Sequence, residues 1–434
     1  MLLRFPPRGG RLLALAVLLL LSSHLAYSQT DALSLQEAIG LASSRSADAE
    51  TSRAGVQSAL DMAVAAAQLP DPVLKFGVNN VPADGSDRFS IGTDFMTMRS
   101  VSVMQELTRT EKRRARAERF NAEASAAETQ RVAALAAVQR STAQAWLDRW
   151  YAARTVQLLA EQTASVALQV EAAEAAYRGN RGSRADIVAA RLERQQLQDR
   201  TDEAWATEAS AKAMLRRWVG DASSRPPAAP PRFDVPQWLD ALDDAAIDTL
   251  PDVAAASAQA AMADAEGRVS RAAKTPDVTV ELMYSQRGPA YANMVSLNVS
   301  LPIPWDQKNR QDREVSAKLA QANAARAQAE VLRRNMVGQI LGKRETLRLN
   351  QRRLDRYQTT TVPLARAQTE AALTSYRTGS GSLAAVAEAS RKALDLALER
   401  LKLEASTAQL WAELAFLKPL PTANQPTSNV GVQP

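Results

Sequence analysis

Few side chains in this sequence could bind a metal ion or catalyse a reaction. The 434 residues contain no cysteine and one histidine, His24. Met96, Met98 and Met104 lie at even spacing, which on a β-strand places them on one face. Thioether sulfur is a ligand for Cu(I) and Ag(I), but methionine on a strand is more commonly packing filler or lipid-facing. These three residues are therefore weak candidates for a metal site, and the sequence predicts no cofactor.

Most enzyme chemistry is disfavoured by what the sequence lacks. Without cysteine there is no disulfide framework, no thiolate nucleophile and no Cys-ligated zinc or iron–sulfur site. His24 lies in a segment that we expect to be removed, so the mature chain has no imidazole base. No Gly-x-Ser-x-Gly or P-loop motif is present. The sequence therefore predicts a protein that is not an enzyme.

One short basic run raises the question of nucleic-acid binding. Residues 112–116 read Lys-Arg-Arg-Ala-Arg. Glu111 and Glu118 flank the run, and no aromatic platform accompanies it, so a solvated helix start is the favoured interpretation. The formal net charge of +6 falls by three when the arginines of residues 1–28 are removed. We therefore expect no nucleic-acid partner.

The N-terminus has the pattern of a secretory signal peptide. Arg4, Arg8 and Arg11 precede the apolar run Leu12–Leu21, and small residues lead up to Gln29. The predicted signal peptide covers residues 1–28. No later stretch reaches the roughly 18 apolar residues of a spanning helix, so a membrane-spanning part would have to be built from strands.

The chain repeats its own order of elements. Leu69-Pro70-Asp71 ends a helical stretch and opens an extended one, and Thr275-Pro276-Asp277 does the same in the second half. Each half reads helix, strand pair, very long helix, Gly-rich turn, helix. The predicted organisation is a first repeat over 29–225, a Pro-rich linker over 226–248, a second repeat over 249–418 and a disordered tail over 419–434.

Each repeat contains one predicted β-hairpin. In the second, apolar and polar residues alternate over 278–285 and 295–301 within a hairpin spanning 277–304. The first is a rougher copy spanning 72–107, with strands over 73–81 and 89–107. The alternation gives each hairpin one apolar and one polar face, and the whole chain four strands.

The predicted helices are too long for a globular core. Residues 108–176 and 307–375 contain almost no glycine or proline, and each would reach about 100 Å; Gly338, Gly342 and Pro363 interrupt the second. Such helices must lie side by side as coiled coils. Four strands cannot close a membrane barrel, so copies of the chain must share one. Two copies would give an eight-stranded barrel whose interior is filled by side chains, and three would give about twelve strands and leave a lumen.

These features together resemble the TolC-like outer-membrane efflux proteins over nearly the whole mature chain. The resemblance rests on the duplicated order, the strand ends at 103–107 and 301–304, and the two Tyr-Arg…Gly-Ser turns. It implies a mainly α fold with a small β part: a homotrimer with a 12-stranded β-barrel in outer-membrane lipid and a 12-helix periplasmic α-barrel. It also implies partners, a periplasmic adaptor and an inner-membrane pump of the RND type, and a passive exit channel.

A narrower resemblance is to the CzcC-like, heavy-metal branch of this family. Residues 70–72, 77–82 and 94–99 are similar to its first hairpin, whereas 306–310 departs from its usual post-strand signature. Heavy-metal cations and drugs or other small molecules therefore stay open as alternative cargoes. A periplasmic adaptor is a more distant alternative, since adaptors contain one helical hairpin and are richer in strands.

The Gly-rich turns lie at the far ends of the long helices, where the resemblance implies contact with the adaptor. In both turns, glycine is expected to supply left-handed backbone conformations. The predicted contact residues are Tyr177, Arg178, Gly179, Gly182, Ser183, Tyr376, Arg377, Gly379, Gly381 and Ser382.

Asp186 follows the first turn, and Ala385 takes the corresponding place after the second. One interpretation is an acidic residue favoured by the helix dipole. The other is a gate, because three-fold symmetry would bring three Asp186 carboxylates together at a narrow tip, where they repel one another and attract cations. Arg178 and Arg377 are candidates for ion pairs that hold a closed state, and the sequence does not choose among four acidic partners, Glu171, Glu174, Glu370 and Glu388.

Overall fold

The computed structural model describes residues 32–240 and 242–421. The predicted signal peptide and most of the predicted tail lie outside these residues. The first repeat contains, in order, α1 (Leu35–Ser44), α2 (Ala47–Ala66), β1 (Val73–Asn79), β2 (Met98–Leu107), α3 (Thr110–Arg178) and α4 (Arg184–Val219). The predicted linker contains α5 (Asp244–Asp248). The second repeat contains α6 (Pro251–Ala273), β3 (Val278–Gln286), β4 (Met294–Ser300), α7 (Gln311–Arg356), α8 (Val362–Arg377) and α9 (Leu383–Ala415).

The long helices follow from the residues that fill them. The 69 residues of α3 contain no glycine or proline and are rich in alanine, glutamate, glutamine and arginine, which have high helix propensity. In the second repeat the long helix starts at α7, because residues 306–310 form a turn. Gly338 and Gly342 leave α7 unbroken. The fold is mainly helical with a small β part, as predicted.

The break in the second long helix is a π-helical turn, Tyr357–Thr361, between α7 and α8. The backbone N–H of Val362 bonds to the carbonyl of Tyr357, five residues earlier. Pro363 comes next and has no N–H to offer the carbonyl of Thr359. A widened turn accommodates that missing bond without ending the helix.

The four strands form one antiparallel sheet in the order β1-β2-β3-β4. The central pair joins the two repeats: β2 pairs with β3 from Arg99 opposite Gln286 to Leu107 opposite Val278. β1 and β4 are the two edges. Both predicted hairpins therefore meet in a single sheet.

The first hairpin departs from its prediction, because the strand expected over 89–107 begins only at Met98. The Asp94 carboxylate accepts the backbone N–H of Met96 at 2.7 Å and that of Thr97 at 3.2 Å. The Thr97 hydroxyl donates to the carbonyl of Asn80 at 3.0 Å. These bonds hold the chain in a turn, which competes with strand pairing.

Two compact units make up the described chain. One comprises the described residues up to Ala42 with Thr142–Arg232 and Leu354–Ser406; it contains both Gly-rich turns. The other comprises Ser43–Ser141, Phe233–Arg353 and the described residues from Thr407; it contains the sheet. Each unit takes segments from both sequence repeats.

Each unit has its own apolar cluster. In the unit with the turns, α3, α4 and α9 share a cluster that includes Val156, Leu159, Leu197 and Leu394. In the unit with the sheet, the second part of the Pro-rich linker is packed rather than extended. Its buried Leu239 joins a cluster on α7 and α9 that contains Ile340, Leu347 and Leu414.

Candidate functional site: the sheet faces and the helix turns

The sheet has one apolar face along its strands. Directly opposed residues of antiparallel strands share a face, and one set of alternate positions is dominated by large apolar side chains. Phe76 is 77% exposed and Val295 71% exposed. The other exposed large apolar side chains of this face are Leu74, Val78, Val103, Leu107, Leu282, Tyr284, Leu297 and Val299. An exposed apolar face of this extent needs a partner or a lipid environment.

The opposite face is polar and internally bonded. Glu281 on β3 accepts from the Ser102 hydroxyl at 2.6 Å and forms an ion pair with Lys75 on β1 at 3.4 Å. Asn79 donates to the Ser100 hydroxyl at 2.9 Å. This face carries Thr279, Ser285, Ser296, Asn298 and Ser300 as well. It is suited to contact with water.

The candidate methionines are only partly brought together. Met98 and Met104 lie on the polar face of β2. Met96 lies before the strand, in the turn held by Asp94, so the expectation of three methionines on one strand face is wrong. Instead, Met283 on β3 and Met294 on β4 occupy the same face as Met104, by register. Within the described residues, no group of three His, Cys, Asp or Glu side chains could hold a metal ion.

The basic run at the start of α3 is not simply solvated. Lys112 is 8% exposed and bonds to the Asp277 carboxylate at 2.7 Å. Arg113 donates to the carbonyl of Ala67 at 2.9 Å, whereas Arg114 pairs with Glu118 on the surface. The run therefore joins α3 to the segments that enter β1 and β3.

The surroundings of Asp277 favour the charged form of its carboxyl group. Burial by itself raises the pKa of Asp277, but the hydrogen bonds from Lys112 and from the backbone N–H of Arg109, with the nearby charge of Arg116, outweigh it. The net result is a lowered pKa. The carboxylate is thus ionised at neutral pH and ties the base of β3 to α3.

The two Gly-rich turns share one backbone design. A Cβ on Gly182 would lie 3.1 Å from the Cβ of Ala176, and one on Gly381 would lie 3.0 Å from the Cβ of Ser375. Glycine at these equivalent positions therefore lets the turn fold against the last turn of the preceding helix.

The left-handed residue of each turn lies three positions after the tyrosine. In the second turn it is Gly379, with φ of 80°. In the first it is Asn180, with φ of 58°, rather than a glycine as predicted. Asparagine tolerates this conformation better than most residues, which explains the exchange. Tyr177 is half-exposed.

Asp186 completes a capping box at the start of α4. The Ser183 backbone N–H and hydroxyl both donate to its carboxylate at 2.8 Å, and the Asp186 N–H donates to the Ser183 hydroxyl at 3.2 Å. Two hydrogen bonds lower the pKa of Asp186: the larger effect comes from the Ser183 backbone N–H and the smaller from the Ser183 hydroxyl. After the second turn, Ser382 caps Ala385 in the same way but no carboxylate returns the bond.

The arginines expected to pair near the turns are not the ones that do. In the part of the chain that the structure describes, neither Arg178 nor Arg377 forms a salt bridge within its own copy. Glu174 pairs with Arg191 at 2.7 Å instead. Between the repeats, two further pairs join α4 to α9: Arg200 with Asp395 at 3.0 Å and Arg391 with Glu193 at 3.3 Å.

None of the helices within the described ranges is both long enough and apolar enough to cross a membrane.

Comparison with known proteins gives a consistent result. The sequence profile of the family "Outer membrane efflux protein" matches residues 243–417. No curated protein matches the chain by sequence.

Solved structures extend the likeness to both repeats. A membrane protein from Pseudomonas aeruginosa has 15% identity and a TM-score of 0.74 and covers 88% of this chain and 89% of its own. The outer membrane protein VceC from Vibrio cholerae has 17% identity and a TM-score of 0.73, with 88% and 95% covered. CusC has 14% identity and a TM-score of 0.72, with 90% and 94% covered. At these identities the likeness shows the fold, and it does not distinguish the heavy-metal branch.

The sequence of the second repeat thus matches the model of the outer membrane efflux protein family, and both repeats share the fold of solved outer-membrane channel structures.

Proposed function

We propose that this protein is the passive exit duct of a tripartite efflux system. Three copies form the duct, which a periplasmic adaptor connects to an inner-membrane pump of the RND type. The observation that carries the proposal is the four-stranded sheet, with one exposed apolar face, one polar face and two unpaired edges. The duct itself performs no chemistry.

The edges of the sheet favour assembly from identical copies. Because the four strands alternate in direction, β4 of one copy runs antiparallel to β1 of the next. Three copies joined this way give a closed twelve-stranded sheet with a lumen, whereas two copies give eight strands and a filled interior. The apolar face would contact lipid and the polar face the transported solution.

The residues after β4 suit the boundary of the lipid layer. Trp305 is 93% exposed and Ile303 75% exposed, and Lys308 and Arg310 follow within one turn. Tryptophan is favoured at membrane–water interfaces, where its apolar ring and N–H face different environments. This segment supports a periplasmic membrane boundary just beyond β4.

The two Gly-rich turns are the proposed adaptor contact. Most of their residues are exposed, and Gly182 and Gly381 let each turn fold tightly against its own helix, so that a small, compact end is presented to the adaptor. Within the described residues of one copy, no ion pair involves Arg178 or Arg377. Both guanidinium groups are therefore available to a partner protein. Asp186, repeated by three-fold symmetry, is the proposed gate of the closed tip.

For the cargo we favour heavy-metal cations, because sulfur ligands lie on the polar face. Export of drugs or other small molecules is the alternative. The match to outer membrane efflux proteins argues against the more distant alternative, an adaptor.

The mass and conductance of the purified protein test the duct. We expect a trimer in detergent by light scattering and a conducting pore in a planar bilayer. Brominated lipid quenches the fluorescence of tryptophans that contact it. In vesicles of this lipid, the substitution Trp305→Phe should remove most of the fluorescence that is quenched in the wild-type protein. The matched change Trp205→Phe, at a half-exposed site on α4, should remove none. A monodisperse monomer without channel current would contradict the proposal.

A further inference from the structure

We infer that Met104, Met283 and Met294 form a row of thioether ligands that lets soft monovalent cations, Cu(I) and Ag(I), pass along the duct. We call these three residues the methionine row. The inference rests on the proposed function and narrows its cargo.

The row is a consequence of strand register. Met104 on β2 lies opposite Glu281 on β3, two residues from Met283 on the same face. Met283 lies opposite Ser296 on β4, again two residues from Met294. Each step of the row is therefore a diagonal between neighbouring strands. Diagonal neighbours have Cα atoms about 7–8 Å apart, within reach of long side chains. The row crosses three strands and advances along the sheet as it does so.

The location of these methionines is not that of packing filler. All three occupy the polar face: Met104 lies between Val73 and Glu281, Met283 lies between Ser102 and Ser296, and Met294 lies opposite Ser285. Met294 is 45% exposed. Along the four described strands, no methionine occupies the apolar face. If methionine were there only as an apolar side chain, the lipid-facing positions would be its expected place.

The charges beside the row are compatible with a cation. Glu281 lies directly opposite Met104 and supplies a carboxylate. Lys75 donates to the Met104 sulfur at 3.2 Å, but its charge is matched by the ion pair with Glu281 at 3.4 Å. Glu106, on the same face of β2, has no such cation opposite it, since its partner is Thr279. With one lysine and two glutamates on this face, the balance is negative.

The chemistry of the ligands narrows the cargo. Thioether sulfur favours Cu(I) and Ag(I) over the hard and borderline divalent ions. The chain has no cysteine, and its one histidine lies in the predicted signal peptide, so no stronger soft ligand competes with methionine. Conduction requires several weak sites rather than one tight site. Spaced thioethers on a wet face meet this requirement.

Silver binding to the full protein tests the inference, in nitrate buffer so that silver chloride does not precipitate. In a planar bilayer, we expect micromolar Ag(I) to interrupt the potassium current of the wild-type pore reversibly. At equilibrium dialysis against micromolar Ag(I), the silver bound to wild-type protein, measured by mass spectrometry, should exceed that bound to the triple variant Met104→Leu, Met283→Leu, Met294→Leu at least several-fold.

A matched control has the same three changes at helix positions, Met214→Leu, Met262→Leu and Met336→Leu, and should behave as wild type. Leucine conserves the volume of methionine and its apolar character, so both variants should fold. If the triple variant of the methionine row conducts potassium and keeps the silver response of the wild type, the inference is overturned while the proposed duct function is not. If wild-type protein forms no pore at all, it is the proposed function that fails.

Discussion

Asp186 is bonded within its own helix and is also the residue proposed as a gate. Its carboxylate accepts two bonds from Ser183, which accounts for a lowered pKa without any neighbouring copy. The capping role follows from one chain, and the gating role requires three. Separating them calls for variants that change charge and capping independently.

At this residue, we predict that charge rather than capping controls the tip. Asp186→Asn keeps an acceptor for the Ser183 bonds but removes the charge, so it should lower the cation preference of the pore several-fold. Ser183→Ala removes part of the cap, at a cost of about 1 kcal/mol, but keeps the charge. It should leave cation preference unchanged. Reversal potentials in asymmetric salt measure both. Equal selectivity of Asp186→Asn and wild type would reject the gate.

Residue types alone led to some of the site and missed the rest. Met104, Asp186 and the paired turn glycines could be chosen from the sequence, because each has an unusual type or spacing. Asn180 could not, since asparagine in a glycine-rich turn looks like an ordinary polar residue until its backbone is seen to be left-handed. Met283 and Met294 were missed because they lie in the other repeat.

At the scale of elements, the junction of strands with α3 is held by a buried ion pair. Lys112 and Asp277 are each about one-tenth exposed at the side chain, 10% and 12%. Asp277 also accepts the Arg109 N–H at 3.1 Å. This pair joins the first repeat's long helix to the second repeat's hairpin.

We predict that Asp277→Asn lowers the free energy of unfolding by about 2–3 kcal/mol at pH 7, because it leaves the buried Lys112 ammonium without a counter-charge. The control Asp264→Asn breaks an exposed pair with Arg326 and should cost less than about 1 kcal/mol.

The pH dependence of this difference has a definite sign. Since the pKa of Asp277 is lowered in the folded state, its contribution is complete above the unfolded pKa of about 3.9. It is lost as the pH falls through the lower folded value. Thermal unfolding of wild type and Asp277→Asn in detergent should therefore converge below about pH 4. A gap that widens on acidification would contradict the assignment.

The break in the second long helix shows that only some of the helix-breaking residues in a sequence interrupt a helix. The sequence predicts three interruptions, at Gly338, Gly342 and Pro363. Glycine inside a helix costs only about 1 kcal/mol relative to alanine, which the surrounding helix tolerates. Proline removes a backbone hydrogen bond, and the π-helical turn before it accommodates that loss.

At the scale of the whole molecule, the proposed assembly joins unlike edges. β1 of one copy meets β4 of the next, so the interface is heterologous and closes as a ring. A two-fold arrangement would instead place like edges together.

Cross-linking distinguishes these arrangements, and the cysteine-free chain gives no background. Phe76 and Leu297 lie near the middle of β1 and β4. We predict that the double variant Phe76→Cys, Leu297→Cys, treated with a flexible bis-maleimide, yields covalent dimers and trimers on a denaturing gel. Either single variant should give almost none. Efficient cross-linking of a single variant would show that like edges meet, and would contradict the ring.

The sequence by itself determined the elements, their duplication and the two faces of each hairpin. These are local properties: helix propensity, period-two alternation and turn chemistry act over a few residues, so they can be recognised without knowing what lies nearby in space. The resemblance to the TolC-like family also followed from them, because the order of elements is distinctive.

Only the tertiary structure decided which residues of the two repeats meet. Ser102 and Glu281 are 179 residues apart and share a hydrogen bond, and the same register sets Met104 beside Met283 and ties Lys112 to Asp277. Strand register depends on how whole faces of the sheet fit together, and a slip of one residue would turn each side chain to the other face. No local pattern in either repeat contains that information.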